Sequence, residues 1–166
     1  MSEIINLMVL IDTDHVKKDF KNPSKDQNNP TGIGHNYSYM VVSDNKAISG
    51  AGTGDLNFSA EVGDRIRIYG DSEYDNFEQS ILIYKIDKYS GKNVFDTFNS
   101  STYTKMTPEP SGANVLPPTN VNRDYWFYEA NVINTGTEGY RIWFALYVKA
   151  ELYGYFYWDP TITVNS

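Results

Sequence analysis

Asp12 and Asp14 stand one residue apart at the end of an apolar run, and a stretch rich in short carboxylates and amides follows, with Asp26, Asn28, Asn29, His35 and Asn36. On an extended backbone, side chains at i and i+2 point the same way. The two carboxylates therefore repel unless a cation or hydrogen bonds lie between them. Ca2+ takes about six to eight oxygen ligands from carboxylates, amides and carbonyls, so the expected metal ligands are Asp12, Asp14, Asn29 and Asn36. Asp26 and His35 are expected beside them as ligand-binding residues. The plainer alternative is a strand-end turn in which each Asp accepts backbone N–H groups. His15 and His35 suit Zn2+ or Ni2+ as imidazoles, but they are too distant along the chain for a compact metal-binding spacing.

A second group is aromatic. Trp143 alternates on one strand face with Arg141, Tyr147 and Lys149, and Trp126 lies in a neighbouring aromatic strand. Flat rings beside hydrogen-bonding groups stack on a sugar ring or on a protein partner, so Trp126 and Trp143 join the expected ligand-binding residues. A packed edge or a dimer contact is the alternative. Catalytic signals are weak. There is no Gly-x-Ser-x-Gly elbow, and Asp71, Glu73 and Asp75 read better as a solvated acidic loop than as a glycosidase pair. The chain is expected to be no enzyme.

The elements that must hold these residues are strands. The chain has 166 residues, enough for one domain over 1–166 with a real core. Ile4–Ile11 is apolar on both faces, the pattern of a strand covered on both sides. Tyr37–Ser43, Leu56–Ala60, Arg65–Tyr69, Ser80–Ile86, Tyr125–Ile133, Tyr140–Val148 and Gly154–Asp159 alternate or run apolar between Gly, Asn and Asp turns. Ser80–Ile86 is expected to be central. No window is convincingly helical, and His15–Phe20 allows one turn at most. Positions 12–36 and 99–122 read as long irregular loops, the second because Pro108, Pro110, Pro117 and Pro118 rule out a central strand. The expected fold is a single-domain antiparallel β-sandwich with Greek-key or jelly-roll connections and long loops.

Charge narrows the partners. There are 14 Lys+Arg against 21 Asp+Glu, a formal charge of −7, which argues against nucleic acid and against an anionic membrane surface. No apolar run approaches the ~20 residues of a membrane span. Glu3 and the short apolar run make a poor signal peptide, so a cytoplasmic protein is expected. Cysteine is absent, which excludes disulfides and thiolate chemistry.

The segments Ile11-Asp-Thr-Asp14, Asn22-Pro-Ser-Lys-Asp-Gln-Asn-Asn-Pro-Thr-Gly-Ile-Gly-His35, Gly52-Thr-Gly-Asp-Leu-Asn-Phe58, Val62-Gly-Asp64, Phe144-Ala-Leu-Tyr147 and Gly154-Tyr-Phe-Tyr-Trp-Asp-Pro-Thr-Ile-Thr-Val164 resemble the AidA/PixA inclusion-body protein family of Gram-negative bacteria. The resemblance runs nearly the whole length. It implies a small soluble protein without a catalytic motif; some members accumulate as crystalline cytoplasmic inclusions and some are linked to host association. The inclusion-forming prototype is methionine-rich, and this chain departs from it with Met 4. Two expectations result. One is a lectin-like, Ca2+-dependent module that binds a glycan or another small polar ligand. The other is a structural or storage protein that self-assembles. A homo-oligomer is expected in either case.

Overall fold

The computed structural model describes residues 2–43 and 45–165. Asp44, placed in a turn by the sequence, lies outside them. The chain runs β1 (Ile4–Ile11), α1 (Thr13–Asp19), β2 (Thr31–Gly32), a 3-10 turn (His35–Tyr37), β3 (Ser38–Val42), β4 (Ala47–Ser49), β5 (Leu56–Ser59) and β6 (Arg65–Ser72). It continues through β7 (Gln79–Gly91), β8 (Asn99–Ser111), β9 (Asn114–Asn131), β10 (Gly136–Val148), β11 (Glu151–Trp158) and β12 (Thr161–Asn165).

Two open sheets stack through one core. The first has the order β3-β1-β6-β9-β8; the second has the order β2-β11-β10-β12-β5-β4, with β7 paired to β10. Alternation decides which side chains enter the core. Ile5, Leu7, Val9 and Ile11 of β1 with Ile66 and Ile68 of β6 meet Ile142, Phe144, Leu146, Phe156 and Trp158 of the second sheet in one buried cluster. The expected all-β sandwich is present, but its sheets are mixed. β1 pairs β6 in parallel, β12 pairs β5 in parallel and β11 pairs β2 in parallel. Parallel neighbours follow from the long connections, which carry the chain across the sandwich before the next strand enters a sheet.

Four readings from the sequence need correction. β1 is central but covered on one side only: its outward residues Ile4 and Met8 are exposed. β7 has β10 as its strand partner among the described residues, so it is an edge strand. Its apolar character comes from inward Ile81, Ile83 and Ile86. The segment after Asp12 forms the seven-residue helix α1 rather than one turn at most. Asp12 caps it through Oδ1, which accepts from His15 N at 2.9 Å. Glu73, which follows β6 beside β1 in the same sheet, supplies a further acceptor, taking Thr13 N (2.8 Å) and Asp14 N (2.9 Å). That long-range carboxylate satisfies N–H groups that a helix start leaves without partners, and it is invisible in the local pattern.

The last correction concerns 99–122. The segment is no irregular crossover but most of a long hairpin, in which β8 and β9 pair from Asn99↔Glu129 out to Ser111↔Asn114. β9 also pairs β6, but only over Tyr128 to Asn131. Beyond Tyr128 the two strands continue as a ribbon with no third strand among the described residues. The prolines do obey the rule that excludes them from central strands, because each sits where the ribbon has an open edge. After Pro160 the chain ends in the strand β12, with Ile162 and Val164 in the core.

Candidate functional site

The stretch 12–36 is a strap braced by its own bonds and by β11. Ser24 N donates to Thr31 Oγ1 (2.9 Å), and Asn28 N donates to Asp26 Oδ1 (2.9 Å). Lys25 Nζ reaches the Leu152 carbonyl (2.9 Å), and Tyr155 N donates to the Ser24 carbonyl (2.9 Å). A Cβ at Gly154 would lie 2.4 Å from Pro23 Cγ, so the strap lies flat against β11 only because that residue is glycine.

The expected metal ligands have separate tasks here. Asp12 is the helix cap. Asp14 has turned onto α1 and accepts from Gln79 Nε2 (2.7 Å) and Tyr74 Oη (2.7 Å). The Gln79 hydrogen bond first, then that from Tyr74, holds the Asp14 carboxyl below its usual range, with Lys17 adding to it. The two carboxylates therefore do not share one extended backbone, because α1 begins between them. Asn29 N donates to the Asp26 carbonyl in a tight turn, and Asn36 lies in the 3-10 turn. Among the described residues, no three of His, Cys, Asp and Glu are placed to hold a metal ion.

The histidines take separate partners. His15 Nε2 lies 3.3 Å from Asp19, and its ring packs on Tyr37 at 4.6 Å. His35 Nδ1 lies 2.8 Å from Asp55, and its Nε2 lies 3.5 Å from Asp159. Asp55 also accepts from Thr161 N (2.9 Å), so His35 ties the 3-10 turn to the start of β12. Of the acidic loop, Glu73 serves α1, and burial raises the Asp71 carboxyl above its usual value.

The four expected ligand-binding residues take separate places. Asp26 lies in the strap, where it accepts from Asn28 N, and Trp143 lies on β10 beside the neighbouring strap residues Gln27 and Asn28. His35 lies at the β12 junction, and Trp126 packs against the core, edge-on to Tyr128. Around Trp143 there is a cleft of about 440 Å³ lined by Gln27, Asn28, Tyr84 and Lys85. Tyr84 is the extra residue of a bulge in β7, where Lys85 pairs Trp143 and Ile83 pairs Phe144. The bulge turns its hydroxyl to the Gln27 carbonyl (2.9 Å). Burial, with help from Tyr155 and Asp26, pushes the Tyr84 hydroxyl up to about 12. Trp143 itself is well occupied. Its indole N–H donates to Asp87 (2.7 Å), and Lys85 Nζ stands 4.1 Å from its ring centroid.

A second cleft was not foreseen. The outer face of the first sheet carries Ile4, Met8, Tyr39 and Val41, all exposed. Between this face and the β8–β9 ribbon run two adjoining hollows. One, of about 430 Å³, is lined by Met8, Val41, Tyr69 and Tyr125 among others. The other, of about 520 Å³, includes Ile4, Tyr69, Tyr103, Tyr125 and Phe127. Phe127 is buried on this side, stacked on Tyr103 at 5.4 Å and covered by the Arg67 guanidinium at 4.7 Å. The signal that could have located this face was the apolar outward half of β1.

The chain is a small two-sheet β protein with an open cleft on the outer side of each sheet. The chain belongs to the PixA inclusion body protein family, whose pattern matches residues 3–164. A crystal structure of an inclusion body protein from Burkholderia cenocepacia J2315 superposes with a TM-score of 0.86 at 28% identity, covering 99% of this chain and 97% of that one. The comparison with curated proteins returned no match. No helix among the described residues is long and apolar enough to cross a membrane.

Proposed function

We propose that this chain is a non-enzymatic protein that works by self-association, with the outer face of the first sheet as its assembly surface. One observation carries the reading: β1 has the sequence of a strand buried on both sides, and its own chain covers only one. Val41 is 55% exposed and Ile4 51% exposed on the bare side, next to Met8. Contiguous exposed apolar surface of this kind marks an interaction site. The family name, inclusion body protein, agrees with a second copy as the partner. Sedimentation velocity across a concentration series tests it. Particles that grow with concentration support self-association, and a monomer throughout sinks it.

A second reading rests on the Trp143 cleft, where the amides of Gln27 and Asn28 meet Tyr84, Lys85 and an indole. These groups suit a small polar ligand such as a glycan. Stacking on the indole would require Lys85 to move aside. Trp fluorescence titration with a sugar panel tests it, with Trp143→Phe as the control. The Ca2+ expectation is tested alongside by thermal unfolding after EDTA with and without added Ca2+. A cation bridging Asp12 and Asp14 would have to displace the bonds from His15, Gln79 and Tyr74.

A further inference from the structure

We infer that the tip of the β8–β9 arm of one copy seats in the cleft between the arm and the first sheet of a second copy. This rests on the self-association proposed above and names its contact.

The arm is the part of the chain that its own fold supports least. Past Tyr128 it is a two-stranded ribbon, and such a ribbon is marginally stable alone in water. Its end is bare and apolar: Met106 is 69% exposed, Val115 67% and Leu116 74%. Its composition is also unlike the rest of the chain. From Met106 to Asn122 the only charged residue is Glu109, and Glu109 is neutralised by Arg123. A wet, solitary hairpin would be expected to carry charge on its open edges. Depletion of charge is instead the mark of an interface core.

The cleft matches the tip in chemistry. Its walls are Ile4, Met8, Val41, Tyr69, Tyr125 and Phe127, and among the described residues no carboxylate lines either hollow. The lining's cations are Arg67 and Lys105. Two copies of a chain with a formal charge of −7 repel one another over most approaches. Tip against cleft brings apolar to apolar surface, with no carboxylate among the described lining residues and the nearby Glu129 paired to Arg67, so this approach carries little repulsion. Each chain offers one tip and one cleft on different parts of its surface. The contact is heterologous and can pass from copy to copy without closing, as an extended inclusion requires.

The test uses three purified full-length proteins: the wild type, a tip variant (Val115→Asp with Leu116→Asp) and a cleft variant (Met8→Asp with Val41→Asp). All four positions are exposed, and circular dichroism with thermal unfolding confirms folding. If a tip or cleft variant fails to fold, Met106→Lys or Ile4→Lys replaces it. The expected result is that each variant alone is monomeric where the wild type associates, with at least a ~10-fold loss of association constant. Mixed one to one, the two variants restore a single contact and form a heterodimer, because the tip variant keeps its cleft and the cleft variant keeps its tip. A wild type that stays monomeric overturns the self-association reading itself. A tip variant that associates like the wild type overturns only this contact. Variants that are monomeric alone but fail to pair on mixing also overturn it, since the two surfaces then do not meet each other.

Discussion

The outer faces of the two sheets are both aromatic, yet they are finished differently. On the second sheet the rings are capped from within the chain. Lys85 stands over Trp143, and Arg141 stands over Tyr89 and Tyr157. The strap over 12–36 adds the amides of Gln27 and Asn28 along the rim. On the first sheet Arg67 covers Phe127 and Tyr103, which stack on each other. Ile4, Met8 and Val41 receive none sufficient to bury them. A face sealed by its own cations and loops is finished in the monomer. A face left apolar at Ile4, Met8 and Val41 still has surface to bury, and that contrast is the reason for placing the proposed assembly on the first sheet.

The sharpest way to break the contrast is to place the same charge on both faces. Met8→Asp on the first sheet is expected to lower the association constant ~10-fold or more, the equivalent of about 1.4 kcal/mol. Leu82→Asp, an exposed apolar position on the second sheet, is expected to leave it unchanged. Sedimentation velocity reads both, and equal losses would remove the distinction between the faces.

The next effect concerns what braces the strap. Glu73→Ala deletes the acceptor for Thr13 N, Thr13 Oγ1 and Asp14 N. Loss of such caps costs about 1–2 kcal/mol, read by chemical denaturation, with self-association of the folded protein unaffected. Asp87→Ala leaves the Trp143 indole N–H without its acceptor. About 1 kcal/mol of stability is expected to go, with a change in Trp emission; an unaltered spectrum would show that the ring is not held there. Lys85→Met removes the cation over the same ring, worth about 0.5–1 kcal/mol at an exposed site. It is the smallest of these stability changes and should open the indole face to added sugars if the second reading holds.

Alkaline titration adds a check on how closely the strap seals the second sheet. Burial raises the Tyr84 hydroxyl from 10.0 to about 12, so the folded state favours its neutral form. The sign follows: this contribution is fully present below pH 10 and is lost as pH rises from 10 towards 12. Tyrosinate absorbance should therefore show a late-titrating group that Tyr84→Phe removes. If the variant's titration matches the wild type's, the strap does not enclose that hydroxyl.

Much of the fold was legible along the chain. Alternation at Leu56, Phe58 and Ala60, at Ile66 and Ile68, and at Ile142, Phe144 and Leu146 placed those residues inward, where they are buried. Period-2 patterning is a local property, and burial of one face acts on it directly. The candidate sites were less legible. Asp12 and Asp14 looked paired because an extended backbone was assumed, and a carboxylate sixty residues away starts a helix there instead. Trp143 was named without its strap neighbours, and only strap packing brought Gln27 and Asn28 to its cleft. The prolines of 99–122 excluded a central strand, as they should, but said nothing against a two-stranded ribbon.

The sequence by itself determined an acidic, cysteine-free, single-sandwich β protein, its family and the inward side of most strands. The family is carried by the matching segments such as Gly154 to Val164; composition and periodicity encode the rest because each is a sum over neighbouring residues. Tertiary structure alone decided which strand edges stay open, that the outer side of β1 is bare, and that a neutral arm overhangs it. Those depend on which distant segments pair and how far they run together. A strand's sequence states how much apolar surface it must bury; only the assembled chain reveals whether it has buried it alone.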